Sequence, residues 1–434
     1  MIYRLKRWSA ALLLGMFLSL LSILQCFAAG TVSQVNLHIG QTPDAVYLTY
    51  SAPDAAQGAF SVTGPKGTAD YAANPVWSDS AGKYLYSAKV DGLAPDTNYT
   101  YNIAGSYSGT FKTPAETGAF TFAFLTDTQI GFAADAKATG AMFSLLNSRD
   151  DLAFAYIAGD MTDSSRNERQ WEMLFENGGV NSAAGQTFFG SHLIAAAQGN
   201  HDNSSFSGHI TAPCANSGVG PVVYAFDYSN VKFVVLNMNN PDTWAAQANF
   251  LRREAADAKN NGKWLVAGFH QSLYSGAAHI GDSGIIFWSP LFAELGVDLV
   301  LQGHDHVYAR GFVTSTGSNA NLTAENNTYH VVSSIPLYIT GGHSGAVKWY
   351  AARNYQISAG DPLTPNYSFL DVNSAAPAQN PWGTDTSKTH EQTYILINVD
   401  GDTMTISTYM FRYDGISDKM ATPSYLYDSL TISR

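Results

Sequence analysis

Five apolar runs between residues 119 and 306 each stop abruptly at Asp, Asn or His, most of them just behind a glycine. They read "FLTDTQ" at Asp127, "YIAGDMTD" at Asp160, "AAAQGNHD" at Asn200, "LVAGFHQ" at His270 and "LVLQGHDH" at His304 and His306. Short apolar runs separated by longer helical stretches are the pattern of strands in an α/β sheet, where ligands gather beyond the carboxyl ends of the strands. A glycine before the polar residue lets the backbone turn sharply and swing the next side chain into a shared cleft. Singly, each ending has a plain structural use. Asp127 or Asp160 could cap a helix or brace a turn, Asn200 could sit in a turn, His270 could be a satisfied core histidine, and "GHDH" could be a surface loop. Five such endings in one region are better explained together, as a metal site.

The donor atoms narrow the metal. Carboxylate and amide oxygens and imidazole nitrogens, with no cysteine, suit Mn, Fe, Zn or Co rather than a closed structural zinc. There are more ligands than one ion needs. Two ions sharing one carboxylate are the usual arrangement for phosphate-ester hydrolysis. They polarise the phosphoryl oxygens and lower the pKa of a water, and the hydroxide formed attacks phosphorus in line.

The rest of the chain frames this region. The first residues place Arg4, Lys6 and Arg7 before "AALLLGMFLSLLSILQCFAAG", with Cys26-Phe27-Ala28 as a small-x-small cleavage signal. Residues 1–29 are therefore expected to be an export leader, and the mature protein secreted, periplasmic or extracellular, with no membrane attachment once the leader is cleaved. Cleavage leaves Cys214 as the remaining cysteine, so no internal disulfide is expected and Cys214 itself reads as a loop residue. A net charge of -12 argues against a partner held by its nucleic-acid backbone.

From residue 30 to 115 short strands such as "AVYLTYSA" and "NYTYNIAG" alternate with Gly, Pro, Asp and Asn turns, the pattern of a small β-sandwich. The run "GLAPDTNYTYNI" resembles the late-strand corner of fibronectin type III domains, with Tyr99 or Tyr101 as the corner tyrosine. Residues 118–434 are expected to form the second domain. Strands are expected at "AFTFAFL", "LAFAYIA", "HLIAAAQ", "KWLVAGF" and "VDLVLQG", and hairpins at "YAFDYSNVKFVVLN" and "TYILINVDGDTMTISTYM". Helices are expected over residues 135–147, around "ERQWEMLFE" and at "WAAQANFLRREAADAKN". Residues 351–392, rich in Pro, Asn and Ser, read as loop.

Asp-x-Gln at Asp127, Gly-Asp-x-x-Asp at Asp160, Gly-Asn-His-Asp at Asn200, a lone His270 and Gly-His-x-His at His304 and His306 resemble the calcineurin-like metallophosphoesterases. The fibronectin-like front region, "GHDHVYAR" and "PLYITGGHSG" are most similar to the purple acid phosphatase branch. The resemblance implies an α/β fold, a four-layer sandwich with helices flanking two mixed sheets, behind an all-β front domain. It implies a phosphate monoester hydrolase with two divalent or mixed-valence transition metal ions, Fe, Mn or Zn. A phosphodiesterase or nucleotidase of the same fold is the alternative, and a binding protein with a vestigial site is a third.

By the same resemblance Asp127 and His306 bind the first metal and Asp160 bridges. Asn200, His270 and His304 bind the second. His201, paired with Asp202, acts on the leaving group, and that pairing is expected to keep it protonated into the neutral range. His279 stands where purple acid phosphatases carry a substrate-binding histidine; a solvated loop histidine is the other reading. The sequence departs from that branch at one point. Its metal-binding tyrosine, three residues after the bridging Asp, is here Asp163, so no purple chromophore is expected. Strand alternation would turn residues 127 and 129 into one cleft. Gln129 then either ligates the first metal through its amide oxygen or hydrogen-bonds one of its ligands.

Overall fold

The computed structural model describes residues 31–176, 184–202, 205–213, 217–277, 279, 284–315, 320, 322–350 and 390–434. The expected leader, Cys214 and most of the 351–392 segment lie outside the described residues. Among the described residues no helix is long and apolar enough to cross a membrane.

The front region supplies β1 (Ser33–Ile39), β2 (Val46–Ala52), β3 (Ala59–Gly64), β4 (Gly67–Ala72), β5 (Asn74–Ser78), β6 (Lys83–Val90), β7 (Asn98–Ile103) and β8 (Tyr107–Lys112). The larger region begins with β9 (Phe120–Leu125), α1 (Ala133–Asn147), β10 (Leu152–Ile157), α2 (Glu168–Glu176), α3 (Ala184–Ser191), β11 (Leu193–Ala196) and the short α4 (Phe206–His209). It continues through β12 (Tyr224–Tyr228), β13 (Val231–Val235), α5 (Trp244–Asn260), β14 (Trp264–Gly268), α6 (Ile285–Leu295), β15 (Leu299–Gln302) and β16 (Tyr308–Phe312). The last strands are β17 (Thr328–His330), β18 (Leu337–Gly341), β19 (Gln392–Asp400), β20 (Thr403–Asp414) and β21 (Lys419–Ser433).

Among the described residues the strands form three sheets. The largest runs β17-β21-β20-β19-β9-β10-β11-β1-β2-β6-β5, the second β12-β13-β14-β15-β18-β16, and the third β4-β3-β7-β8. In the first two, β9, β10 and β11 are mutually parallel, as are β13, β14, β15 and β18. Parallel strands are covered on both faces, which is why β9 ("FTFAFL") is buried at every position. Phe122 and Phe154 stack with centroids 5.1 Å apart between the two sheets, and Phe233 of the opposing sheet meets both edge-on. Helices α1 to α3 cover the outer face of the large sheet and α5 and α6 that of the second. This is the expected four-layer α/β sandwich.

The front region is not closed on itself. Strand β1 pairs in parallel with β11, Leu37 opposite Leu193, so four front strands continue the large sheet. Further bonds cross the same seam. The Tyr101 hydroxyl donates to the Gly190 carbonyl at 2.7 Å, and Lys83 reaches Glu168 at 2.9 Å. Of the two tyrosines singled out in the sequence, Tyr99 is the one whose hydroxyl bonds back to its own turn, accepting the Ala94 N–H at 2.8 Å.

Candidate active site

The carboxyl ends of β9, β10 and β11 in one sheet and of β14 and β15 in the other meet at one edge of the sandwich. The turns that follow are tight. Asp127, Gln129, Asp160 and His304 all have positive φ, at 52°, 35°, 47° and 69°, a conformation that costs a non-glycine residue roughly 1–3 kcal/mol and tends to be kept at functional sites. The backbones approach so closely that a Cβ on Gly303 would lie 2.0 Å from Thr126 Oγ1, and one on Gly199 2.1 Å from Asp160 Oδ1. No other residue fits at those two places.

Asp127 is fully buried. Its Oδ2 accepts the Thr126 hydroxyl at 2.6 Å and the His304 N–H at 2.8 Å, and its Oδ1 lies 3.3 Å from His306 Nε2. Asp160 Oδ1 accepts the His201 N–H at 2.8 Å, while Oδ2 lies 3.1 Å from His270 Nε2. Asn200 Oδ1 stands 3.1 Å from the same nitrogen. The imidazoles are oriented from behind. Nδ1–H of His270 donates to the Ala158 carbonyl and that of His306 to the Lys348 carbonyl, both at 2.8 Å. With Nδ1–H engaged by those carbonyls, each ring turns its Nε2 inward, toward oxygens that are acceptors. Acceptors facing acceptors at such distances require a cation between them, either a proton or a metal.

The electrostatics say the same. Burial opposes charge on His270, but Asp160 and Asp127 outweigh it and push its pKa up to about 10. Burial pushes both carboxyls up too; His270 is the first charge to counter it in each, and Asp127 and Asp160 end below the usual range. Burial and the His270 charge bring His304 down to about 3, so its ring is neutral and available as a ligand. Asp160, His270 and His304 offer donor atoms that lie within 4.8 Å of one another. Gln129 is buried; its Nε2 donates to Asp163 Oδ1 at 3.1 Å, and its Oε1 has no hydrogen-bond partner among the described residues. The donor types, the buried amide oxygen and the inward lone pairs fit a centre for hard or borderline divalent cations.

Each candidate metal-ligating or catalytic residue named from the sequence is brought to this edge, with two differences of detail. Asp202 does not hold the His201 ring. It is buried and accepts the N–H groups of Met161 and Gly199, both at 3.1 Å, and burial with the nearby Asp160 pushes it up to about 7. His201 instead donates Nδ1–H to the Asp163 carbonyl at 2.7 Å and lies 3.2 Å from Gln129 Nε2. Likewise β9 ends at Leu125, so left-handed turns and not strand alternation bring Asp127 and Gln129 into one cleft.

His279 packs its ring 4.0 Å from that of His304. Two contributors had no clear signal in the sequence. Ser344, in the Gly-Gly run after β18, accepts the Thr126 N–H at 3.0 Å and donates its own N–H to the Thr126 carbonyl at 2.8 Å, so it fixes the turn at Asp127. Tyr350 lies against His306 and His279, centroids 4.6 and 5.4 Å away.

Residues 120–308, which contain all five strand ends, match the calcineurin-like phosphoesterase family. This is a calcineurin-like phosphoesterase domain. Purple acid phosphatase 18 of Arabidopsis thaliana is 24% identical to the chain over 245 residues, 52% of this chain and 53% of the relative. Phosphoenolpyruvate phosphatase of Allium cepa is 29% identical over 148 residues, 33% of this chain and 31% of the relative. The Fe(3+)-Zn(2+) purple acid phosphatase 12 of Arabidopsis thaliana is 24% identical over 289 residues, 60% of this chain and 59% of the relative. The chain thus spans between 31% and 59% of the length of these three relatives.

Among solved structures, a purple acid phosphatase from yellow lupin (Lupinus luteus) seeds superposes with a TM-score of 0.68 at 16% identity, over 93% of this chain and 75% of that one. PhoD superposes at 0.58 and 13% identity, over 94% and 91%. At such identities the likeness is one of fold.

Proposed function

We propose that the phosphoesterase domain hydrolyses phosphate monoesters with two bound cations, as an exported enzyme. The observation that carries the reading is the set of inward-facing acceptors: Nε2 of His306 against Asp127, and Nε2 of His270 against Asp160 and Asn200. Asp127, His306 and the amide oxygen of Gln129 would hold one cation, and Asn200, His270 and His304 the other, with Asp160 between them. A relative named as an Fe(3+)-Zn(2+) enzyme supports a pair of ions. Bound there, the cations would neutralise phosphate charge and lower the pKa of a water to make the nucleophile.

The chain's own groups do the rest. His201, steadied through Nδ1 by the Asp163 carbonyl, holds Nε2 beside the Gln129 amide nitrogen at 3.2 Å, and by exchanging that contact for a proton it would be placed to pass one to the departing alkoxide. His279, beside His304, offers a further donor for a phosphoryl oxygen. Asp163 and His201 engage the Gln129 amide nitrogen at 3.1 and 3.2 Å, which leaves its oxygen uncommitted and able to serve a cation. The buried backbone around Asp127 and Asp160 keeps these groups in place before substrate arrives.

The direct test is metal analysis of the purified chain with nitrophenyl phosphate and bis(nitrophenyl) phosphate assayed side by side. Two ions per chain and faster monoester turnover are expected. Faster diester turnover would assign the domain to phosphodiesters. A chain that takes up no metal and turns over neither ester would be a binding protein built on this fold.

A further inference from the structure

Apolar side chains stand exposed at the mouth of the site. Phe132 is 74% exposed, Trp349 48%, Val347 37% and Ile416 85%. They come from three separate segments, and one helix end gathers them. The buried Asp135 of α1 accepts the N–H groups of Gly131 and Phe132 on Oδ2, at 3.0 and 2.9 Å, and that of Val347 on Oδ1 at 3.0 Å. The turn holding Ile416 is pressed against the same helix start. A Cβ on Gly415 would lie 2.1 Å from the Ala134 carbonyl oxygen, and Lys137 pairs with Asp418 at 3.3 Å.

This cluster is continuous with the proposed metal centre. Lys348, between Val347 and Trp349, gives its carbonyl to His306. Its ammonium lies 5.4 Å over the ring of Tyr350, which itself packs on His306. On the other flank Phe132 follows Gln129 by three residues, and Gly131 between them abuts Asp163, whose Cβ would be 3.3 Å from a Cβ on that glycine. Scattered exposed apolar residues need no explanation, whereas several drawn to one place beside a cleft mark a contact surface.

We propose that this platform receives the organic arm of the ester, and that the preferred arm is aromatic. The inference rests on the phosphoesterase reading above. A phosphate held among the strand ends leaves its ester oxygen and carbon arm to project out of the cleft. Trp349 and Phe132 offer ring faces and edges to a flat apolar group there, while Lys348 suits the anionic end of the same molecule. A phosphorylated sugar or polyol would leave the platform wet and gain nothing from it.

The test uses the metal-loaded full chain and non-hydrolysable ligands: inorganic phosphate, then methyl-, phenyl- and naphthylphosphonate, by titration calorimetry. Affinity should rise about tenfold from methyl to phenyl and further to naphthyl. In a Trp349→Ala/Phe132→Ser double variant that series should flatten to within about twofold, while phosphate still binds. The ratio of kcat/KM for phenyl phosphate over ethyl phosphate should fall in step. A wild-type series that is already flat, with phosphate bound and esters hydrolysed, overturns the platform and leaves the phosphoesterase reading standing. A platform built for a protein or lipid partner would give that flat result. If phosphate does not bind and no ester is hydrolysed, the phosphoesterase reading falls and takes the platform with it.

Discussion

The two halves of the proposed metal centre are built differently. The half around His270 collects two imidazoles, a carboxylate and an amide within a few ångströms, and in the protein alone His270 holds a proton with a pKa of about 10. The half around Asp127 has one imidazole, one carboxylate and the unbonded amide oxygen of Gln129. Imidazole binds borderline divalent ions better than a neutral amide oxygen does. The difference implies a tight, proton-linked half and a weaker half that leaves a fixed position open to the choice of metal. It also implies that a ferric ion, which favours anionic oxygen ligands, has no tyrosinate at Asp163 to hold it.

The variant that most directly challenges this comparison is Asp160→Asn. If Asp160 serves both halves, both ions should be lost and the rate should fall by about 10³-fold or more. A protein that kept two metals and a near-normal rate would mean the halves are independent. His201→Ala comes next. It belongs to neither half, so both ions should stay while the rate drops on the order of 10²–10⁴-fold. The loss should shrink for esters with very good leaving groups, which need no proton. If the metals leave with the imidazole, His201 is a ligand and the halves must be redrawn.

The pH dependence separates the halves more finely. A histidine must be neutral to ligate, and His270 is raised to about 10, so a cation entering that half displaces a proton throughout the neutral range. Its apparent affinity should fall about tenfold per unit as pH falls, with one proton released per ion in calorimetry across buffers. His304, already lowered to about 3, has none to release. Uptake without proton release would mean that His270 is already neutral in the metal-free protein, and the comparison of the halves would lose its proton linkage.

The smallest expected effect is at Gln129. Gln129→Ala should weaken the first half by about tenfold and leave the second unchanged, and Gln129→His should tighten it. The wild-type protein should be colourless, without a phenolate charge-transfer band. Unchanged metal affinity in Gln129→Ala would reduce the amide to a partner of Asp163 and His201 alone.

Much of this site was legible in the chain because its residues stand at the ends of strands that announce themselves. Strands at Phe120–Leu125 and Leu152–Ile157 and the helix at Trp244–Asn260 follow directly from apolar runs and periodicity. Helix α6 was not visible that way. "IIFWSPLFAEL" is apolar almost all round and contains Pro290, so it has no helical stripe to read. The pairing of His201 was misjudged for a related reason. Asp202 is its neighbour in sequence, but successive side chains point apart, and the backbone amides of Met161 and Gly199 capture the carboxylate first.

By itself, the sequence determined which chemistry is available: donor types, their order, their glycines and the absence of tyrosine at position 163. These are properties of single residues and short runs, which local sterics and hydrophobic pattern express directly. Only the tertiary structure decided how the donors face one another and what surrounds them. The Lys348 carbonyl behind His306, Ser344 bracing Thr126, β1 joining β11 and the apolar mouth at Phe132 and Trp349 all join segments far apart in the chain. Such contacts exist only once two sheets have packed, because packing selects partners by shape and burial, and a linear pattern records neither.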